Sequence, residues 1–235
     1  MKNEKIIGIL GGMGPEATID LFQKIVQLTP AKQDQEHLRI IIDNNPKIPD
    51  RTKSILYGNE NPLPELIKTA QTLEKAGVDF IIIPCNTAHY YYHEIQKMVN
   101  IPILNMIQET ALYIHHTFPF LKNVTLFATK GTYQAGLYQT YLNALGIKIL
   151  IPKEEEQHQL MEIIYRIKAG WDLNLLKREI IEIARLQIRK GAQGVISGCT
   201  EIPLVLKDGN LEIPIIDPTF ILAQKAIDKA MNKEK

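Results

Sequence analysis

Cysteine is scarce in this chain: there are two among 235 residues, Cys85 and Cys199, 114 positions apart. Such a pair forms neither a disulfide framework nor a CxxC redox motif. No Cys/His spacing of the zinc type accompanies it, so two separate thiols remain. An excess of one charge is also lacking. The net charge is +1 and charged residues make up 23%, which offers nucleic acid no basic surface. No apolar run reaches membrane-spanning length. The opening MKNEKIIGILGG has no long apolar region followed by a small-residue cleavage site, so it does not read as a secretory signal. The expectation is a soluble, cytoplasmic protein with neither nucleic-acid nor membrane partners.

What is plentiful is apolar side chain, 45% of the residues, enough for a substantial core. The length suits one large or two small α/β units. Apolar runs alternate with helical patterns. Strands are predicted from Lys5, at Leu38–Ile42, Phe80–Ile83 and Ile101–Leu104. Helices are predicted at Ala17–Leu28 and at Leu63–Ala76, the latter ended by Gly77. The series resumes with strands at Val124–Ala128, Ile147–Ile151, Gly194–Ile196 and Ile213–Ile216, and a helix at Leu176–Arg189. Continuous apolar strands between helices predict parallel sheets covered on both faces, hence an α/β fold.

The chain also repeats itself. At a shift of 114, KAGVDFIIIPCN lies over RKGAQGVISGCT, with Gly77 on Gly191, Ile82 on Ile196 and Cys85 on Cys199. The preceding helices match at Leu66 and Ile180, Ile67 and Ile181, and Ala70 and Ala184. IPILN from Ile101 resembles IPIID from Ile213 at a shift of 112. Two related halves facing each other would set both cysteines, each just after a strand, on opposite walls of one cleft, where ligands of such sheets bind.

Two opposed thiols suit one reaction in particular. Racemising an amino acid removes the α-proton from one face and delivers a proton to the other. A base and an acid on opposite sides do this, exchanging roles for the other enantiomer. A thiol can ionise near neutral pH in the right surroundings, and a pair sharing one proton titrates as a unit. Charge developing on the substrate carboxylate calls for donors. Asn86, Thr87 and Thr200, directly after the cysteines, are placed to supply them, with backbone N–H groups at the following helix starts.

GGMGPEAT (Gly11–Thr18), NNPKIPDRT (Asn44–Thr52), PCNTAH (Pro84–His89) and GCTEIP (Gly198–Pro203) together resemble the motifs of the aspartate/glutamate racemase family, in its aspartate racemase branch. The resemblance covers nearly the whole chain. It implies two pseudo-symmetric flavodoxin-like domains with the active site between them. Residues 1–106 plus 216–235 would form the first domain and 107–215 the second. It implies a homodimer acting on a small amino acid without pyridoxal phosphate or metal. Position by position, Cys85 and Cys199 would be catalytic. Asn86, Thr87 and Thr200 would hold the α-carboxylate, and Met13 would line the site. Arg51 and Lys168 would pair with a side-chain carboxylate. Thr129, Lys130 and Thr132 would form a polar loop facing the cleft.

Two rival readings stand beside this one. Gly12–Ala17 fits the G-x-G-x-x-A dinucleotide fingerprint, which would make the chain an NAD(P)-dependent oxidoreductase. Pro15 removes an N–H that a pyrophosphate would use, Glu16 would repel it, and the acidic partner would have to be Asp43, expected in a loop. The other rival is a non-catalytic small-molecule-binding protein, which has no need of two matched thiols. His89 is expected to orient the cysteine loop. His115, His116, Tyr90–Tyr92 and Trp171 are read as packing or surface residues, Glu154–Glu156 as a solvated loop, and the tail from Asn232 as frayed.

Overall fold

IGILG is apolar or glycine at every position, and as strand β1 (Ile7–Gly11) it is buried along its whole length. The computed structural model describes residues 4–233; the end of the tail, Glu234 and Lys235, lies outside them. After β1 come α1 (Pro15–Leu28), β2 (Ile40–Asn44), α2 (Arg51–Tyr57), α3 (Leu63–Lys75), β3 (Phe80–Ile82), α4 (Tyr92–Gln96) and α5 (Met106–Thr117). The second half runs β4 (Asn123–Ala128), α6 (Lys130–Gln134), α7 (Leu137–Ala144), β5 (Lys148–Leu150), α8 (Glu154–Lys168), α9 (Leu173–Arg189), β6 (Val195–Gly198), α10 (Ile202–Val205), β7 (Ile215–Ile216) and α11 (Pro218–Ala230).

Two parallel sheets result, ordered β2-β1-β3 and β5-β4-β6-β7. The internal repeat is realised in their pairing. Ile81 bridges Ile103 in parallel, and Val195, its counterpart, pairs with Ile215. The predicted strand Ile101–Leu104 is thereby reduced to a single bridge. Pro102, which has no N–H to give to a ladder, and Asn105, whose side chain caps the next helix by accepting from the N–H groups of Ile107 and Gln108, bound the pairing on either side, as Pro214 and Asp217 bound the two-residue β7. Asp43, expected in a loop, lies in β2, paired with Leu10.

Capping chemistry sets the helix starts. Pro15 and Pro218 occupy first-turn positions where a missing N–H costs nothing. Asp50, Asp172 and Asp217 each accept a backbone N–H from the first turn of α2, α9 and α11 respectively. Glu154–Glu156 is the acidic first turn of α8 rather than a loop, as the helix dipole favours. Glu156 accepts from Lys153 N and from Gln187, and pairs with Lys190 of α9's end. The apolar residues of α9 recur at Leu176, Ile180, Ile183 and Ala184, a single buried face. The C-terminal α11 buries Leu222, Ala223, Ala226 and Ile227 against Ile7, Ile9 and Phe80 of the first sheet. No described helix is long and apolar enough to cross a membrane.

Candidate active site

Both thiols leave the carboxyl ends of equivalent strands. Cys85 follows β3 after Ile83 and Pro84, and Cys199 directly follows β6. They are free, buried cysteines lining a common cleft of about 430 Å³. The Cys85 loop is pinned by His89. The Met106 N–H donates to His89 Nε2 at 3.1 Å, so that nitrogen is the acceptor, and Nδ1–H donates to the Cys85 carbonyl at 2.9 Å. Burial pushes the His89 pKa down from 6.5 to about 4. The ring is therefore a neutral strut in one fixed tautomer, the orienting role expected of it.

On the Cys85 side, Asn86 is buried, and its Oδ1 accepts from the Tyr138 hydroxyl at 2.5 Å. That contact fixes the amide orientation and leaves Nδ2 buried without a partner. A buried N–H with nothing to bind costs free energy, and here it belongs to a residue of the cleft wall. Thr87, Thr129 and Thr132 form a triangle of hydroxyls with contacts of 3.0, 3.0 and 3.1 Å. This triangle joins the two halves. Gly131 sits beside it so tightly that an added Cβ would lie 2.9 Å from Thr52 Cα.

Arg51 is the first residue of α2. Its guanidinium donates to the carbonyls of Ile48 at 3.2 Å, Pro49 at 2.9 Å and Met13 at 3.4 Å. Its Nε is buried and unpartnered. The arginine thus clamps the Gly-rich turn to the start of α2 while bordering the cleft.

The Cys199 side carries charge. Glu201 is buried, with Oε2 accepting from Cys199 Sγ at 2.9 Å and Oε1 2.6 Å from Lys168 Nζ. Burial, and then the Glu201 charge, push the Cys199 thiol well above its usual range, and Lys168 opposes them only in part. Burial works against the Lys168 charge too, but Glu201 and the cysteines outweigh it and hold the ammonium above its ordinary value.

Of the residues singled out from sequence, Met13, Arg51, Cys85, Asn86, Thr87, Thr129, Lys168, Cys199 and Thr200 line this cleft. Thr132 stands behind Thr87 and Thr129 in the hydroxyl triangle. Lys130 is not in the lining; its Nζ lies 2.7 Å from His158 Nε2. Thr129 and Thr132 belong to the cap and first turn of α6 rather than to a loop, the Thr129 hydroxyl accepting from Thr132 N. Sequence reasoning passed over Glu201, Asp50 and Tyr165, which also line the cleft. Glu201 stands in the GCTEIP motif, two places after a cysteine, and an acidic side chain so close to a thiol was the one available signal; its burial and its pairing with Lys168 are seen only in the fold. Trp171 is half-exposed under the Arg166 guanidinium, and His115 and His116 are exposed. Among the described residues no three His, Cys, Asp or Glu side chains cluster as metal ligands would.

The Gly-rich turn is spent on packing. A Cβ on Gly12 would lie 2.3 Å from the Asn45 backbone, and Gly14 faces the Glu201 carboxylate and Lys168. A pyrophosphate there would meet main chain at Gly12 and, at Gly14, a carboxylate and an ammonium already paired with each other.

Two parallel-sheet halves around such a cleft define a class, the two-lobed α/β amino-acid racemases, which are isomerases. The chain belongs to the Asp/Glu/hydantoin racemase family, whose family model matches residues 10–226. It is 33% identical over 228 residues to a broad specificity amino-acid racemase, RacX, of Bacillus subtilis (strain 168), covering 94% of this chain and 96% of that one. Among solved structures it resembles Picrophilus torridus aspartate racemase, with a TM-score of 0.87 and 32% identity over 96% of this chain and 94% of that one. It also resembles an aspartate racemase homologue from Pyrococcus horikoshii OT3, with a TM-score of 0.79 and 30% identity over 96% and 99% of the two chains.

Proposed function

We propose that this racemase acts on an acidic amino acid, aspartate before glutamate, by a two-cysteine acid/base mechanism that needs neither pyridoxal phosphate nor a metal. The observation that carries the mechanism is the pair of free, buried thiols bordering one cleft from equivalent strand ends. One thiolate takes the α-proton and becomes a thiol. The electron pair left on Cα spreads into the carboxylate, and the opposite thiol protonates the other face and becomes a thiolate. The orphan Nδ2 of Asn86 is the first candidate donor to that carboxylate, with Thr87, Thr129 and Thr200 around it.

Lys168 and Arg51 support an acidic substrate, because two cations beside the carboxylate donors suit a second carboxylate. One observation favours a second reading, broader specificity. Lys168 is already paired with Glu201, and the Arg51 head is engaged by carbonyls. The proposal extends to a cytoplasmic homodimer with domains at 1–106 plus 216–235 and 107–215. Its supports are the exposed Ile19, Phe22 and Val26 on α1 and the packing of α11 on the first sheet.

The test is α-proton exchange in heavy water across a panel of amino acids, with Cys85→Ala and Cys199→Ala beside the wild type. Each substitution lowers racemisation by several orders of magnitude, and the losses do not multiply in the double variant because the thiols act as a unit. Near-wild-type racemisation by either single variant overturns the mechanism. Faster exchange with neutral amino acids than with aspartate overturns the substrate assignment.

A further inference from the structure

The two thiols do not stand in equivalent surroundings. At the repeat shift of 114, Glu201 occupies the position of Thr87. Thr87 is held among the neutral hydroxyls of Thr129 and Thr132. Glu201 is a carboxylate only 3% exposed, with one oxygen 2.9 Å from Cys199 Sγ and the other 2.6 Å from Lys168 Nζ. A buried carboxylate lies this close to sulfur at low cost only when a proton sits between them, because two anions would repel. The ammonium of Lys168 keeps Glu201 an acceptor, so the proton is the thiol's.

We infer, on the two-thiol reading above, that Glu201 is a positioning residue that assigns the proton shared by the thiols to Cys199 in the ligand-free enzyme. Cys199 then enters turnover as the acid and Cys85 as the base. Cys85 thiolate takes the α-proton, and the Cα electron pair moves into the carboxylate. Cys199 gives its proton to the opposite face as the pair returns, and is left as a thiolate beside Glu201. Before the next turnover of the same enantiomer, the proton on Cys85 must return to Cys199 through solvent. The opposite enantiomer requires Cys199 as the thiolate, which is the protonation state Glu201 disfavours. An enzyme with two equal halves would treat the enantiomers alike; this one does not.

The titratable and charged groups facing Glu201 in the cleft are Cys199 on its own loop, Lys168 and Tyr165 on α8, Cys85 after β3, and Asp50 and Arg51 at the start of α2. Only Cys199 and Lys168 have hydrogen-bonded or ion-pair contacts with the Glu201 carboxylate among these.

The test isolates one thiol. In Cys85→Ala, where Cys199 alone remains, thiolate formation is followed against pH by its ultraviolet absorbance. Adding Glu201→Gln moves the midpoint down by about one pH unit or more. Glu201→Asp keeps the charge but withdraws it by one methylene, and moves the midpoint the same way by less. It serves if circular dichroism shows the glutamine variant unfolded. An unchanged or raised midpoint overturns the inference. This readout needs no turnover, so it stands apart from the fate of the racemase reading.

With both cysteines present, kinetics supply a second check. The equilibrium constant of a racemisation is one, so kcat/KM is equal in the two directions whatever the residue does. The asymmetry must appear as a split, with kcat and KM both differing between enantiomers. Glu201→Gln narrows that split, whereas a merely structural role would depress both directions in parallel and leave it unchanged.

Discussion

Tyr138→Phe removes one oxygen from the second half of the molecule and tests how an amide in the first half is aimed. The Tyr138 side chain is fully buried in the second core with Leu142 and Ile107. Phenylalanine keeps the ring, so packing loses little. What goes is the O–H donated to Asn86 Oδ1 at 2.5 Å. An orphaned buried acceptor costs about 1–3 kcal/mol of stability, which thermal unfolding will read. The catalytic effect is smaller and indirect. A net hydrogen bond of about 1–1.5 kcal/mol gives roughly a tenfold orientational preference. Without it the two amide orientations become about equally populated, so the competent fraction falls from about nine-tenths to about one-half and kcat/KM falls about twofold. Asn86→Ala deletes the donor itself and costs about ten- to a hundredfold, as a charge-assisted bond of about 1.5–3 kcal/mol implies. The decisive measurement is the double-mutant cycle. In the Asn86→Ala background Tyr138→Phe has almost no further effect on kcat/KM. If its loss persists there in full, Tyr138 does not act through Asn86 and the reasoning fails.

Two other outcomes follow from the geometry. Arg51→Ala releases three carbonyl contacts, so activity falls on every substrate; aspartate loses about ten- to a hundredfold more than alanine, and Lys does not fully restore it. Equal losses would make Arg51 a clamp only. Burial lowers the His89 pKa from 6.5 to about 4, so below about pH 6.5 the unfolded chain binds a proton that the folded one refuses. Stability is full above that pH and declines by about 3 kcal/mol as pH falls to about 4. His89→Gln, which can donate and accept at the same two places, should flatten this part of the urea-unfolding profile. An unchanged slope would assign the acid sensitivity to other groups.

The internal repeat made the two thiols legible, because a strand end carries its following residue to the same edge of the sheet wherever it occurs. Single-residue pairing was not legible in the same way. Ile103 looks like part of a longer strand, yet the proline before it and the helix cap at Asn105 leave room for two residues at most, as at β7, and only one of them bridges. Asp50 is a strong cap, but α2 is a seven-residue helix, too short for periodicity to reveal. Glu154–Glu156 reads as a solvated loop from its charge alone, yet three acids before an apolar pattern are also a helix-start signature, and that is what they are in α8. Glu201 was hidden for another reason. Its partner Lys168 is the last residue of α8, and only the packing of α8 beside the second sheet brings a residue so distant in sequence to its carboxylate.

The hydroxyl triangle at the junction of the halves has a consequence in hydrogens rather than in atoms. Three threonine hydroxyls bring three protons to three mutual contacts. Each proton is used once, and all must point the same way around the ring. Turning one of them toward a carboxylate opens the ring and leaves two oxygens facing each other without a proton between them. Donation by any one threonine is therefore tied to the orientation of the other two. The Asn86 amide has no such obligation, and its free N–H can meet an incoming anion before the ring rearranges.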